Sequence, residues 1–374
     1  MNILNNKVSI ERCGSYDPDE LYRVLRTAAQ AAGIPEVKGK TVLLKVNILM
    51  DAEPEKAITT HPAYLEAVIR LVQDWGAARI LVGDSPGLQG PKFTGRVCGI
   101  EEIVRKTGIE WADFTKSKID LKLPKAKVQR SFTITGIYDE VDIIINLPKL
   151  KTHQLMYYTG AMKNMFGLIP SVLKSPYHMR YSKREDFASM IVDLNMMGKP
   201  VYALMDAVIA MEGHGPSGGT PRQTGLVLAA SNFLAMDIAA CSIIGYPPHM
   251  IPTNREALSR RIWLKDINEI EYPLLSPTEV EIPDFKKILF KKSRSQLIDF
   301  ILPKPIKKLK ESKNTAPRID HNICIRCGDC MRICSPKAIT VSGTGDSRQM
   351  VINSQQCIRC YCCHEICPAK AIDI

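Results

Sequence analysis

Eight of the chain's twelve cysteines fall near its end, in two runs of one spacing. The first run is Cys324, Cys327, Cys330 and Cys334, and the second is Cys357, Cys360, Cys363 and Cys367, with Pro368 directly after. Both read C-x2-C-x2-C-x3-C. Thiolate is a soft ligand, and four thiolates converging from different directions suit an iron–sulfur cubane. Three cysteines at two-residue gaps let one turning loop wrap three corners of the cube. The fourth corner must be filled from further along the chain. The chemistry expected of such a tract is one-electron transfer through [4Fe-4S] clusters.

The duplication extends beyond cysteine. CIRCGDCMRICSPKAI from Cys324 and CIRCYCCHEICPAKAI from Cys357 agree at 10 of 16 positions, at an offset of 33 residues. Each copy reads as a cluster loop, a short helix over Met331 or His364, and a terminal strand. The tract from Arg318 to Ile374 resembles the bacterial two-cluster ferredoxins, in which the fourth cysteine of a run ligates the other cluster. The resemblance implies Cys324, Cys327, Cys330 and Cys367 for one cluster, and Cys357, Cys360, Cys363 and Cys334 for the other. One departure is Ser335, which stands between Cys334 and Pro336. Zinc also uses paired C-x2-C units, but seldom this run twice. The start, MNILNNKVSIERC, lacks a basic stretch followed by an apolar core, so no secretory signal and no disulfide framework are expected. Cys362 reads as a bystander, and Cys13, Cys98 and Cys241 as small buried residues. A reducing, cytoplasmic setting is the expectation.

Elements that would carry a substrate lie upstream. Up to residue 280, strand-like runs alternate with helical ones, which predicts a mixed or parallel sheet with helices on both faces. Strands are expected at Thr41–Val46, Arg79–Val82, Val141–Leu147, Val201–Met205 and Leu226–Ala229. Helices are expected at Asp17–Ala32, His61–Trp75 (capped by Thr60), Glu101–Lys106, Arg184–Met197 and Leu234–Ile244. Ligands in such sheets sit beyond the carboxyl ends of the strands. Polar residues gather there: Lys45, Asn47 and Asp84, then Lys149, Lys151, His153, Lys163 and Asn164. Lysines suit an anionic ligand, and His153 is a candidate proton donor. The plainer alternatives are solvent-facing lysines at 149 and 151, a structural histidine, and a turn-forming Asp84. The Gly213–Gly219 loop is a turn, or a backbone cradle for an anion.

Composition narrows the rest. The formal net charge is +11. Most of it sits in KKILFKKSRSQLIDFILPKPIKKLKESKNTAPR, which carries eleven Lys/Arg against Asp299 and Glu311. This basic, Pro-punctuated stretch reads as a linker, residues 281–317, before the ferredoxin module at 318–374. Its mixed apolar and basic half, about 286–310, is able to touch an anionic membrane or an acidic partner. No nucleic-acid recognition motif accompanies the charge. No apolar run reaches the roughly 18 residues of a transmembrane helix.

The blocks VLLKVNIL, THPAYLEAVIRLV with GDSPG, NLPKLKTH with MKNMFG, and EGHGPSGGTPRQTG before AMDIAACSIIGYPP are similar to the prokaryotic family named domain of unknown function 362. That family is often fused to ferredoxin modules. The resemblance spans about residues 8–248 and implies a domain layout and a site, not a reaction. His214 and Asn47 depart from the family's usual pattern. Two functions are consistent with the whole: an oxidoreductase passing electrons to a small anionic molecule or further cofactor in the α/β crevice, or an electron carrier docking a redox partner protein.

Overall fold

The computed structural model describes residues 5–88, 95–199, 201–290 and 316–374. Its centre is a nine-stranded mixed sheet. In chain order the sheet and its helices are β1 (Val8–Arg12), α1 (Pro18–Ala32), β2 (Thr41–Lys45), α2 (Pro62–Asp74), β3 (Arg79–Gly83), α3 (Ile100–Thr107) and β4 (Glu110–Trp111). A separate hairpin follows, β5 (Lys118–Lys122) and β6 (Ser131–Thr135), and then α4 (Ile137–Glu140). Next come β7 (Ile143–Asn146), β8 (Lys149–His153), β9 (Tyr157–Thr159), α5 (Ala161–Asn164), α6 (Ser171–Arg180) and α7 (Arg184–Leu194). The domain closes with β10 (Val201–Glu212), β11 (Thr220–Ala230), α8 (Phe233–Ile243) and α9 (Pro252–Arg260).

The main path runs β1-β11-β10-β7-β2-β3-β4. Strands β10, β7, β2, β3 and β4 are mutually parallel, and β11 and β1 pair antiparallel at one edge. Alternation fills both faces. Val42 and Leu44 point to one core with Leu65, Val68 and Val72 of α2, while Leu43 points to another with Met236 and Ala240 of α8. Helices therefore cover both faces, as strand–helix alternation demands.

Several boundaries differ from the sequence expectation, each for a local reason. Strand β10 runs on to Glu212 because it has two partners: β7 along its first residues and β8 beyond Pro148. Strand β8 is buried along its whole length, so Lys149 and Lys151 do not face solvent. His61, not Thr60, caps α2, accepting from the Ala63 N–H at 3.2 Å. Thr60 is otherwise engaged: its hydroxyl donates to the Leu147 carbonyl (2.7 Å) and accepts from the Asn47 N–H (2.9 Å).

Residues 281–290 belong to the α/β body rather than to a linker. Phe285 is buried, and the Ile282 N–H donates to the Ile243 carbonyl at 2.7 Å. The expected membrane- or partner-contacting stretch 286–310 falls mainly on residues outside those described. The C-terminal module has β12 (Arg318–Ile319), α10 (Asp329–Ile333), β13 (Ile339–Ser342), β14 (Gln349–Ile352), α11 (Cys362–Ile366) and β15 (Ile372–Asp373). It is a small α+β ferredoxin-type domain whose strands pair β12 with β15 and β13 with β14. Among the described residues no helix is long and apolar enough to cross a membrane.

Candidate functional site

The strand registers build the site. Lys45, at the end of β2, pairs in register with Gly83 of β3 and Asn146 of β7, so three strands stop on one rung. Their next residues converge there. Lys45 Nζ lies 2.8 Å from Asp84 Oδ1, with both side chains buried. Lys45 Nζ also donates to the Val46 carbonyl at 2.6 Å. Asp84 is held by the N–H groups of Ile48 (2.6 Å) and Ser85 (2.7 Å). Burial lowers the Lys45 pKa, and Asp84 opposes that shift. Asn164 donates to Asn146 Oδ1 at 2.7 Å, which ties α5 to the strand ends. Gly167 is required by close approach: a Cβ there would sit 2.2 Å from Asp84 Oδ1 and 2.5 Å from Lys45 Nζ.

Above this pair is a cavity of about 100 Å³. A single water needs only about 10–15 Å³ of such space, so several waters or a small organic molecule fit. One wall is α/β: Asn47, Asp84, Ser85, Lys163, Lys174 and His178. The other comes from the ferredoxin module: Ile333, Cys362, Glu365 and Ile366. Four buried lining atoms have no hydrogen-bond partner: Asn47 Oδ1, Ser85 Oγ, His178 Nδ1 and Glu365 Oε1. The Lys174 ammonium donates to the Ser85 carbonyl. Burial brings its pKa down to about 7, with Asp84 raising it and Lys45 and Lys163 lowering it further. Burial likewise brings His178 down to about 3, so its ring is neutral. Lys163 has a lowered pKa, from burial, against the pull of Glu365.

The remaining expected residues lie off this cavity. Lys149 is in a separate buried ion pair with Asp206, at 2.8 Å, and also donates to the Tyr16 hydroxyl at 2.7 Å. Lys151 donates to the Ile58 carbonyl at 2.7 Å, and burial brings its pKa to about 7. His153 Nδ1 accepts from the N–H groups of Leu155 (3.1 Å) and Met156 (3.3 Å), which places its proton on Nε2. That atom lies 3.2 Å from Glu365 Oε1. Burial holds His153 well below its usual pKa. It is a neutral structural histidine, not an acid poised over the cavity.

The Gly213–Gly219 loop docks the ferredoxin module through its carbonyls. His364 Nε2 meets the His214 carbonyl at 3.1 Å, and Lys370 Nζ donates to the Gly219 carbonyl at 3.5 Å. Gly218 makes room for that contact: a Cβ would meet His364 Cε1 at 2.9 Å. Ser175 of α6 donates to the Ile333 carbonyl at 2.9 Å, a further tie between the two domains.

Within the ferredoxin module the sequence repeat becomes a repeat of backbone shape. Arg326 and Arg359 have φ of 59° and 56°, Gly328 and Tyr361 80° and 63°, and Lys337 and Lys370 52° and 54°. Left-handed non-glycine residues persist only where surroundings dictate them, commonly at binding sites. Cys324, Cys327, Cys330 and Cys367 line one cavity. Cys334 has Cys357 and Cys360 as its electrostatic neighbours. Its Sγ accepts from the Ala338 N–H at 3.2 Å, and Cys367 Sγ accepts equivalently from Ala371 at 3.3 Å. N–H donors to sulfur are what an anionic cluster needs around it. Among the described residues, no three His, Cys, Asp or Glu side chains are close enough to hold one bare metal ion. Thiols set around a cavity instead suit a cubane several ångströms across. The residues present therefore fit the clusters.

Ser85, Lys174, Ser175, His178 and Glu365 were not among the residues marked from sequence. Ser85 adjoins Asp84 in the GDSPG block, which was a usable signal. The others sit on α6 and α11, and no spacing in the chain announces that those helices face each other.

A family model described as Domain of unknown function (DUF362) matches residues 42–242. One described as a 4Fe-4S dicluster domain matches residues 323–371. A thylakoid-associated protein of Synechocystis sp. is 31% identical over 310 residues, covering 80% of this chain and 92% of that protein. Among solved structures, the lactate racemase apoprotein of Thermoanaerobacterium thermosaccharolyticum aligns with a TM-score of 0.41 at 10% identity, over 62% of this chain and 55% of that one. A Thermotoga maritima protein aligns with a TM-score of 0.37 at 12% identity, over 60% and 58%. The chain thus spans somewhat over half the length of these two structures.

Proposed function

The chain belongs to the domain of unknown function 362 family and is an iron–sulfur protein with a 4Fe-4S ferredoxin domain, and from this premise we propose that it is an oxidoreductase. In this reading it passes single electrons to or from a small molecule seated between its two domains. The observation that carries it is the shared cavity. Cys362 and Glu365 line it from α11, directly beside Cys363. Neighbouring Cα atoms are about 3.8 Å apart, so a cluster on Cys363 would lie one residue from the cavity wall.

Cys324, Cys327, Cys330 and Cys367 would hold one cluster, and Cys357, Cys360, Cys363 and Cys334 the other. When bound, these groups supply reversible one-electron oxidation and reduction. The chain's own residues do the rest. Ile333 and Ile366 form an apolar wall that limits water around the bound molecule. Asp84 fixes Lys45 at the cavity floor. Lys174, with its pKa near neutrality, holds or releases a proton at Nζ as the charge of the bound molecule changes. Electrons would enter on the far side. Cys327 is exposed there, and Ile323 and Ile325 beside it are 50% and 65% exposed, an apolar rim suited to a donor protein. That rim also supports a second reading, a carrier that relays electrons between proteins. The thiolates required of eight cysteines favour a reducing compartment such as the cytoplasm.

The test is anaerobic purification, iron and sulfide counts, and mass spectrometry of anything released on denaturation. About eight irons per chain are expected, from two cubanes. A released compound, or a pool compound, should reoxidise the chemically reduced clusters. Full clusters that no small molecule discharges would overturn the enzyme reading and leave the carrier.

A further inference from the structure

We infer that the cavity between the domains is a built site for a small oxyanion, carboxylate or phosphate in class, that also carries a hydroxyl or N–H donor. The inference rests on the reading above for the cavity's role and adds the class of its occupant. It concerns Asn47, Ser85, Lys163, Lys174, His178 and Glu365.

Charge gives the first half. Lys45 and Asp84 neutralise one another at 2.8 Å. Among the described lining residues, Lys163 and Lys174 then face Glu365 as the one remaining acid, so positive charge is in excess. Lys151 lies off the cavity but close enough for its field to reach Lys163 and Glu365. Among the described residues Lys163 makes no hydrogen bond or close ion pair, although an ammonium has three protons to donate. A low-dielectric cleft lined by one sign of charge concentrates the opposite one.

The orphaned atoms give the second half. A buried polar atom without a partner is costly, so a cavity ringed by four of them is shaped for something that satisfies them. Ser85 and His178 are 1% and 7% exposed, and each has an unpartnered atom here. The Ser85 hydroxyl has a proton to give, as do both lysines. Asn47 Oδ1 and Glu365 Oε1 accept no hydrogen bond among the described residues, and a donor on the ligand would answer them, with His153 Nε2 the nearest protein group to Glu365 Oε1 at 3.2 Å. A bare halide or unsubstituted carboxylate would satisfy the lysines and leave those two oxygens orphaned. An oxyanion with a hydroxyl satisfies both sets. The cavity, about 100 Å³, admits such a molecule. Glu365 comes from the ferredoxin module, so the ligand bridges the two domains.

The experiment is titration calorimetry of the anaerobic holoprotein with inorganic phosphate, glycolate and acetate as probes. Binding of one phosphate or one glycolate per chain is expected, with glycolate at least tenfold tighter than acetate. Lys163→Gln should weaken both by at least tenfold while iron content and cluster spectra stay unchanged. Lys174→Met gives the same test through a different side chain should the first variant fail to fold. Phosphate bound without glycolate identifies a phosphate ligand, and the reverse identifies a hydroxycarboxylate. No heat from any probe at millimolar concentration, equal affinity for glycolate and acetate, or unaltered binding in both lysine variants would overturn the inference. If probes bind yet no small molecule discharges the clusters, the enzyme reading fails and the anion site stands. If a compound discharges the clusters while no oxyanion binds, the reverse holds.

Discussion

Replacing Asp206 by asparagine tests whether Lys149 is part of the frame rather than of the ligand site. Both side chains are fully buried, 2.8 Å apart. Asp206 also accepts from the Tyr16 hydroxyl at 2.8 Å and the His61 N–H at 3.0 Å. Burial depresses the Lys149 pKa, and Asp206 opposes that shift. Asparagine keeps the shape and one acceptor oxygen but removes the charge, leaving the buried ammonium without its counter-ion and with the Tyr16 oxygen at 2.7 Å. Breaking one side of a buried pair costs about 3–5 kcal/mol. At about 2–4 °C per kcal/mol for a large domain, the Tm should fall by about 6–20 °C. The double variant Lys149→Met with Asp206→Leu removes both charges and fills the space, so it should lie closer to the parent than Asp206→Asn does. Anaerobic thermal unfolding of the three proteins reads the cycle, and glycolate affinity of the double variant should equal the parent's. A loss under about 1 kcal/mol in Asp206→Asn would show that Lys149 is not held by this pair. A double variant that folds but binds glycolate tenfold more weakly would place Lys149 in the site.

Two further outcomes follow from the geometry. Cys334→Ala should remove the cluster of Cys357, Cys360 and Cys363, not that of its own run, halving iron from about eight to about four per chain; low-temperature electron paramagnetic resonance of the reduced protein identifies which signal is lost, and loss of the other would refute the exchange. Glycolate affinity should fall as pH rises through about 7, because Lys174, with its pKa near there, is charged below that point and neutral above it; Asp84, Lys45 and Lys163 all act on that ammonium, His178 stays neutral throughout, and a flat profile from about pH 6 to about pH 8.5 would remove Lys174 from the site.

What the sequence made legible was whatever local pattern encodes. The two cysteine runs state their chemistry because a cubane's corners fix the spacing. The alternation of Val42, Leu43 and Leu44 states a strand covered on both faces. The gathering of Lys45, Asn47 and Asp84 after the strands is legible because register brings parallel strand ends to one rung. Selection among the polar residues was not legible. Lys149 and Lys151 share a strand and a spacing, yet one is neutralised by Asp206, 57 residues away, and the other is hydrogen-bonded to the Ile58 carbonyl. Which lysine remains unpaired depends on those long-range partners, and periodicity carries no information about them.

The same reasoning explains why the far wall of the cavity was invisible. Cys362 reads as a bystander when its run is compared with the other copy, where Asp329 holds the equivalent place. Asp329 pairs with Arg332 near the surface, whereas Cys362 and Glu365 turn inward toward Lys163. The two copies of the repeat have thus diverged on the face that meets the α/β domain. His364 and Glu365 of the second copy stand where the first has Met331 and Arg332, which are exposed. His364 docks the module on the Gly213–Gly219 loop, whereas Glu365 faces the cavity with one oxygen free of hydrogen bonds. The second copy has diverged in this way while keeping its four cysteines, and Gly218 leaves the gap that His364 fills. That asymmetry favours the ferredoxin module as one wall of a binding site over the ferredoxin module as an appended carrier.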